Sequence, residues 1–299
     1  MLVSMKEILD RANRENYAVM APNVSMELDA RAVLEAAEEM KSPLILDVLY
    51  KANPDMYLFG SYLRRLAEQA SVPVAINQDH GQEYAHAVAA IRAGFTSIMV
   101  DRSALPYEEN AAQVAELAKI AHAVNVSVEA ELGYVGMGSN YDHDGISGLT
   151  EPSLALDYIS RTGIDCLAVA IGTAHGAYKG KPKLDFDRLE EIKKITRFPL
   201  VLHGGSGTGE ENLAKACKLG INKINVANDL FRAAHSELLK SDMEGNGVYK
   251  FWDVCSRGLK NRTKELIECF GGKGKAWVPE TRGLPRIGAA GGENKMAAI

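Results

Sequence analysis

The sequence predicts a (β/α)8 barrel, on three observations: eight short β-rich apolar runs, a helical segment between each run and the next, and a spacing suited to parallel crossovers. The runs fall at 18–21, 44–48, 74–77, 97–100, 127–131, 166–171, 200–202 and 223–226. Segments with helical periodicity lie between them at 30–40, 56–69, 84–93, 108–124, 153–162, 187–196 and 210–219. Successive runs start roughly 23 to 40 residues apart, the length of a strand, a loop and a helix that crosses back over a parallel sheet. Eight such units close into a barrel of about 250 residues. The chain of 299 residues accommodates this as one domain, expected over 1–282, followed by a loose Gly- and Ala-rich tail at 283–299. A doubly wound open sheet is the competing architecture.

The elements follow in order. Residues 1–16 read as an amphipathic helix and lack the apolar centre and small-residue cleavage site of a signal peptide. Gly94, Gly163 and Gly220 each follow a helical segment and precede a strand, as helix terminators do. The longest interval, between the fifth and sixth strands, holds a glycine-rich loop at 133–148, expected as a lid over a site. Two further helices are expected at 229–239 and 249–270.

Composition narrows the function classes. With 46% hydrophobic and 24% charged residues and only 10 Pro, the chain is a compact globular protein. Its formal charge of -5, from 34 basic and 39 acidic residues, leaves no basic footprint for nucleic acid or a membrane surface. The longest apolar runs fall far short of the roughly 20 residues that span a bilayer. Four well-separated cysteines suggest neither a disulfide framework nor a cysteine zinc site, so a cytoplasmic location is expected.

In a barrel of this kind the strand C-termini converge on one face. They carry Asn23 after the first strand, Asp79 and His80 after the third, Asp101 and Ser103 after the fourth, and Glu131 after the fifth. His175-Gly176 follows the sixth strand, His203 to Gly207 the seventh, and Asn225 to Asp229 the eighth. A lone strand-end histidine is more simply a hydrogen-bonded structural residue. Three on one face point to a metal site, in which neutral imidazoles bind Zn²⁺ at about 2.0–2.1 Å and a position stays open for substrate. His86, His122 and His235 fall in predicted helices and read as surface or packing residues, with His143 in the lid. The glycine-rich turn Gly204-Gly205-Ser206-Gly207 offers N–H groups and hydroxyls to an anion where barrels hold phosphate.

These motifs resemble the class II, metal-dependent ketose-bisphosphate aldolases, including the fructose- and tagatose-bisphosphate enzymes. The resemblance runs from about residue 3 to 270 and rests on Ala21-Pro-Asn-Val, Gln78-Asp-His-Gly, Ser97-Ile-Met-Val-Asp-Arg-Ser, Ser127-Val-Glu-Ala-Glu-Leu-Gly, Ala168-Val-Ala-Ile-Gly-Thr-Ala-His-Gly, Leu200-Val-Leu-His-Gly-Gly-Ser-Gly and Ile224-Asn-Val. It implies Zn²⁺ on His80, His175 and His203, and a proton-transferring carboxylate at Asp79. Asn225 would contact the enediolate. Asn23, Gly176, Gly204, Gly205, Ser206, Asn228 and Asp229 would hold substrate and its phosphate, with help from a monovalent cation, Na⁺ or K⁺. Asp101 and Glu131 match acidic positions near the metal, as a displaced metal site or as supports for the ligands. The implied reaction is reversible cleavage of a phosphorylated ketose to dihydroxyacetone phosphate and an aldehyde, in a homodimer or homotetramer. A paralogue with altered substrate, or a non-catalytic sugar-phosphate-binding barrel, is the alternative.

The chain departs from the family pattern in places. The family's loop glutamate falls near Ser139, with Asp142 or Asp144 as replacements. Asn228 stands where Thr often precedes the acid, Arg102 interrupts the usual Asp-Gly-Ser, and the second strand lacks a frequent serine. These changes point to an altered substrate or phosphate grip. Arg257 and Arg262 either reach a distal phosphate or are solvated helix charges. Lys223 is the one lysine suited to a Schiff-base mechanism, and no polar partner for it is evident from the sequence.

Overall fold

A computed structural model of the chain describes residues 1–138, 148–180 and 182–279. The lid residues Ser139, Asp142, His143 and Asp144 and the expected tail at 283–299 lie outside the described residues. Eight parallel strands form the centre: β1 (Val19–Pro22), β2 (Leu44–Leu49), β3 (Val74–Gly81), β4 (Ser97–Val100), β5 (Ser127–Leu132), β6 (Cys166–Val169), β7 (Leu200–Leu202) and β8 (Ile221–Val226). They pair in the order β1-β8-β7-β6-β5-β4-β3-β2. A parallel bridge between Asn23 and Asp47 closes the ring from β1 to β2, and Val24 N donates to Asp47 O there at 2.9 Å. The architecture is the expected (β/α)8 barrel, and the open doubly wound sheet is set aside.

Helices surround the barrel as α2 (Glu27–Glu39), α3 (Met56–Gln69), α4 (Tyr84–Ala93), α5 (Tyr107–Ala123), α6 (Pro152–Thr162), α7 (Phe186–Thr196), α8 (Glu210–Lys218) and α9 (Asn228–Lys240), with α1 (Met5–Glu15) before β1 and α10 (Phe251–Cys269) after α9. Their starts have local causes. Asp55 accepts from Leu58 N at the head of α3, and Asp185 accepts from Arg188 N at the head of α7. Gly94 and Gly163 end α4 and α6 in the left-handed conformation, as expected. Several boundaries shift by a few residues from the sequence reading, two of them with a clear cause or consequence. The third strand runs on through Gly81, because Gly81 still pairs with Val100 of β4. The last helical stretch opens as a 3-10 segment at Gly245–Lys250 before α10.

The core has two compartments, set by the period of two along each strand. Leu44, Leu46 and Val48 of β2 point outward against the helices, as do Val74 and Ile76 of β3. Ile45, Ala75, Met99, Ala168 and Val201 point inward, where Met5, Ile8, Leu9 and Ala12 of α1 pack against them. The amphipathic first helix therefore plugs the barrel, and each of its fully buried large side chains stabilises the fold by roughly 1.5–3 kcal/mol. Other inward positions are polar: Asp47, Asn77, Glu129 and Lys223 are fully buried inside the ring. They form the floor on which the site rests.

A second buried polar link runs outward. Tyr158 of α6 is fully enclosed and donates to Asn110 Oδ1 at 2.5 Å, while Asn110 Nδ2 donates to the Glu131 carbonyl at 3.2 Å. Removing the hydroxyl strands an acceptor in the interior, which costs about 1–3 kcal/mol. Tyr158→Phe is expected to lower the unfolding free energy by that amount, read as a lower urea midpoint with an unchanged slope; an unchanged midpoint would contradict the link.

Candidate functional site

The site lies at the C-terminal end of the strands, where backbone geometry decides what each side chain can reach. Asp79 and His80 are neighbours in sequence yet turn to different tasks. His80 adopts a left-handed backbone conformation, with φ at 48°, and the β3–β4 register shifts between Gln78 and Gly81. Such a bulge re-aims one side chain without ending the strand. As a result both residues face the barrel mouth, where the carboxylate Oδ1 of Asp79 stands 3.8 Å from His80 Nε2.

His175 arrives from the loop after β6 and His203 from the end of β7. His80 Nε2 lies 3.1 Å from His175 Nε2 and 3.0 Å from His203 Nδ1. Each ring has an acceptor on its outer nitrogen. Asp101 Oδ2 faces His80 Nδ1 at 2.9 Å, Val135 O faces His175 Nδ1 at 3.2 Å, and Glu129 Oε1 faces His203 Nε2 at 2.8 Å. Those acceptors fix the tautomers, so the inner nitrogens present lone pairs to one another. Lone pairs at such distances repel unless a positive charge lies among them, and this donor set suits a divalent metal bound by three imidazoles.

The surrounding charges make the same demand. Burial opposes an imidazolium at His80, but Asp79 and the hydrogen-bonded Asp101 outweigh it and hold the ring up at about 10. The site therefore draws in a cation, a proton where no metal is bound. Burial, with the neighbouring imidazoles, pushes His175 down to about 4. Burial likewise resists a charge on Asp79, yet His80, His203 and Lys223 hold its carboxyl at about 2. Both Asp79 oxygens are held: Asn23 Nδ2 donates to Oδ2 at 2.8 Å and Asn225 Nδ2 to Oδ1 at 3.1 Å.

Asp101 and Glu131 stand on the other side of His80. One ligand atom from each of His80, Asp101 and Glu131 falls in a group spanning at most 4.8 Å, a second arrangement able to hold a cation. Asp101 Oδ1 accepts from Ser103 N and Oγ at 3.1 and 2.7 Å. Glu131 Oε1 accepts from Val135 N at 2.8 Å, while among the described residues its buried Oε2 has no hydrogen-bond partner. Burial, with Asp101 nearby, pushes Glu131 up to about 8.

The glycine-rich turn lies beside this centre. Gly205 N donates to Asn225 O at 3.1 Å, and Ser206 Oγ accepts from Ala227 N and Asp229 N at 3.2 and 3.1 Å, joining the turn to the head of α9. Asn228 opens α9. Tyr178 ties the loop after β6 to this turn, accepting from Ala174 N at 2.7 Å and donating to Gly204 O at 3.1 Å. The loops press together: a Cβ on Gly204, whose φ is +68°, would fall 2.3 Å from Ala174 O. Gly176, with φ at 81°, turns the chain directly after His175. Arg262 pairs with Glu210, Glu265 and Asp229, and Arg257 with Glu237. Both arginines are thus engaged by acids of their own chain.

Sequence reasoning missed the floor. Lys223 Nζ is fully buried and lies 2.7 Å from Asn225 Oδ1, 2.9 Å from Glu129 Oε2 and 3.0 Å from Asp47 Oδ2. It has three oxygen partners where none was evident. Burial opposes its charge, but Asp47 and Glu129 raise it above the ordinary lysine value. A permanently protonated amine is a poor nucleophile, so the Schiff-base alternative loses its lysine. The available signal was a Lys, an Asp and a Glu at inward positions of strands that are otherwise apolar.

A three-imidazole centre with an adjacent carboxylate and a glycine-rich turn, at the C-terminal mouth of a (β/α)8 barrel, defines a metal-dependent lyase of the aldolase type. The family model for class-II fructose-bisphosphate aldolase matches residues 3–275, and the chain belongs to that family. It is 43% identical to a fructose-bisphosphate aldolase of Geobacillus stearothermophilus, over 92% of this chain and 99% of that one. It is 40% identical to one of Thermus caldophilus, over 92% and 100% respectively. The crystal structure of the YdjI aldolase of Escherichia coli K12 superposes with a TM-score of 0.83 at 33% identity, covering 93% of this chain and 100% of that one.

Removing an outer acceptor should loosen the ring that it orients. Asp101→Asn is expected to weaken metal binding by about 10-fold to 100-fold, and His203→Ala to abolish stoichiometric binding, as read by chelator competition. Wild-type affinity in both variants would contradict the assembled centre.

Proposed function

We propose that the protein catalyses reversible aldol cleavage of a phosphorylated ketose, of the fructose or tagatose 1,6-bisphosphate type, to dihydroxyacetone phosphate and an aldehyde. The observation that carries this reading is the convergence of His80, His175 and His203 with the Asp79 carboxylate at their edge. Carbon–carbon cleavage of a ketose leaves negative charge beside a carbonyl. Zn²⁺ bound by the three imidazoles supplies the Lewis acid that takes up that charge.

The chain's own groups divide the remaining work. Asp79, ionised and held by two amides, accepts the proton of the hydroxyl on the breaking bond during cleavage and returns it in condensation. Asn225 turns its amide N–H groups toward the same space and serves the oxygen that gains charge. The backbone of Gly176 and Gly204, with the Ser206 hydroxyl and Asn228, holds the phosphate at the head of α9, where Gly205 and Asp229 brace the turn and Na⁺ or K⁺ assists. Asn23 positions Asp79. Asp101 and Glu131 orient His80 and offer a second seat for the metal.

Residues 1–282 form the working barrel and 283–299 a tail in this reading. The enzyme works in the cytoplasm as a homodimer or homotetramer. Among the described residues no helix is long and apolar enough to cross a membrane. The names of the relatives support a fructose bisphosphate substrate, while Asn228 and Arg102 favour an altered substrate or phosphate grip. Asp142 or Asp144 supplies the loop acid.

Metal-replete protein assayed against a panel of ketose 1-phosphates and bisphosphates is expected to cleave at least one member. Asp79→Asn should lower kcat by about 10²-fold to 10⁴-fold with metal content retained. Binding without cleavage across the panel would favour a non-catalytic sugar-phosphate-binding barrel instead.

A further inference from the structure

Among the described residues, the floor of the site contains a buried cation, Lys223, that contacts residues which in turn support Asp79 and His203. Lys223 Nζ reaches Asn225 Oδ1 at 2.7 Å and Glu129 Oε2 at 2.9 Å. An ammonium only donates, so the atom of Asn225 that it meets must be the carbonyl oxygen. The Asn225 Nδ2 group is thereby turned the other way, toward Asp79 Oδ1 at 3.1 Å and the His203 ring at 3.4 Å. On its second arm Lys223 neutralises Glu129, whose other oxygen receives the proton of His203 Nε2 at 2.8 Å. That bond leaves His203 Nδ1 free to bind a metal.

We propose that Lys223 is a positioning residue that fixes the donor and acceptor polarity of the centre, holding the Asn225 amide with its N–H groups toward the reacting space and His203 in its Nε2–H form. Without the ammonium, Asn225 is free to flip and present an oxygen to Asp79, which repels it. Glu129 then loses the partner that fixes its carboxylate 2.9 Å away, and its other oxygen no longer has a set position from which to accept the His203 Nε2 proton. Asp47 is the third partner, at 3.0 Å, and bonds through its other oxygen to Asn77 Nδ2 at 2.8 Å. Its side-chain bonds go to Asn77 and Lys223, so it balances charge without orienting Asn225 or His203 through a bond of its own. The turnover consequence rests on the aldolase reading; the tautomer and metal-affinity consequences do not.

The test compares Lys223→Met with Asp47→Asn, which breaks a different bond to the same ammonium. In Lys223→Met, metal affinity by chelator competition should fall by about 10-fold or more, and kcat at saturating metal should fall with KM nearly unchanged. Asp47→Asn, which leaves the Lys223 bonds to Asn225 and Glu129 in place, should lose less than Lys223→Met in both. In ¹⁵N-histidine NMR of the metal-free protein, wild-type His203 should be the single Nε2–H tautomer, and in Lys223→Met a mixture. Wild-type metal affinity in Lys223→Met, equal losses in the two variants, or a tautomer mixture in the wild-type protein would each overturn the proposal. The wild-type spectrum decides even if Lys223→Met does not fold. Should the NMR and metal shifts occur in a protein that cleaves no ketose, the positioning role stands and the aldolase reading falls.

Discussion

Lone pairs on three imidazoles, two of them about 3 Å from the third and all within 4.8 Å in an enclosed space, are unstable company unless a positive charge joins them. That constraint organises the upper half of the molecule. Each ring is turned inward because its outer nitrogen has an acceptor: a carboxylate from the end of β4, a backbone carbonyl from the loop after β5, and a carboxylate inside β5. The parallel barrel makes this possible, since all its strands end on one face and side chains remote in sequence meet there. The bulge at the end of β3 adds the last requirement by letting adjacent residues serve different partners.

The floor beneath is as demanding as the site itself. A buried lysine with two carboxylates is costly to desolvate and rarely adds net stability. Its presence in an otherwise apolar ring is better explained by what it orients. The molecule meets this cost elsewhere, in the apolar plug of α1 and in the continuous outer core between strands and helices. Stability and chemistry are thus divided between the two ends of one barrel.

The fold was legible in the sequence because strand and helix have different periods and alternate without interruption. The site was legible in part, since polar residues at strand ends have few structural reasons to gather. His80, His175, His203, Asp79, Asp101 and Glu131 were all found this way, and the coordinates bring them together. Glu129 and Lys223 were not, because their partners depend on register between strands. His203 and Glu129 stand 74 positions apart, and no local pattern announces that they face each other. Arg262 was ambiguous for a similar reason: its engagement with Glu210 and Asp229 depends on how α10 lies across α8 and α9. The left-handed turn at His80 was also hidden, as no residue type there demands it.

Three imidazoles sharing one metal ion are what everything else in the site requires, and X-ray absorption spectroscopy of the zinc-loaded protein addresses that most directly. It should report three nitrogen scatterers of imidazole type at about 2.0–2.1 Å with the remaining position filled by oxygen. A first shell with fewer than three imidazoles, or one containing sulfur, would contradict it.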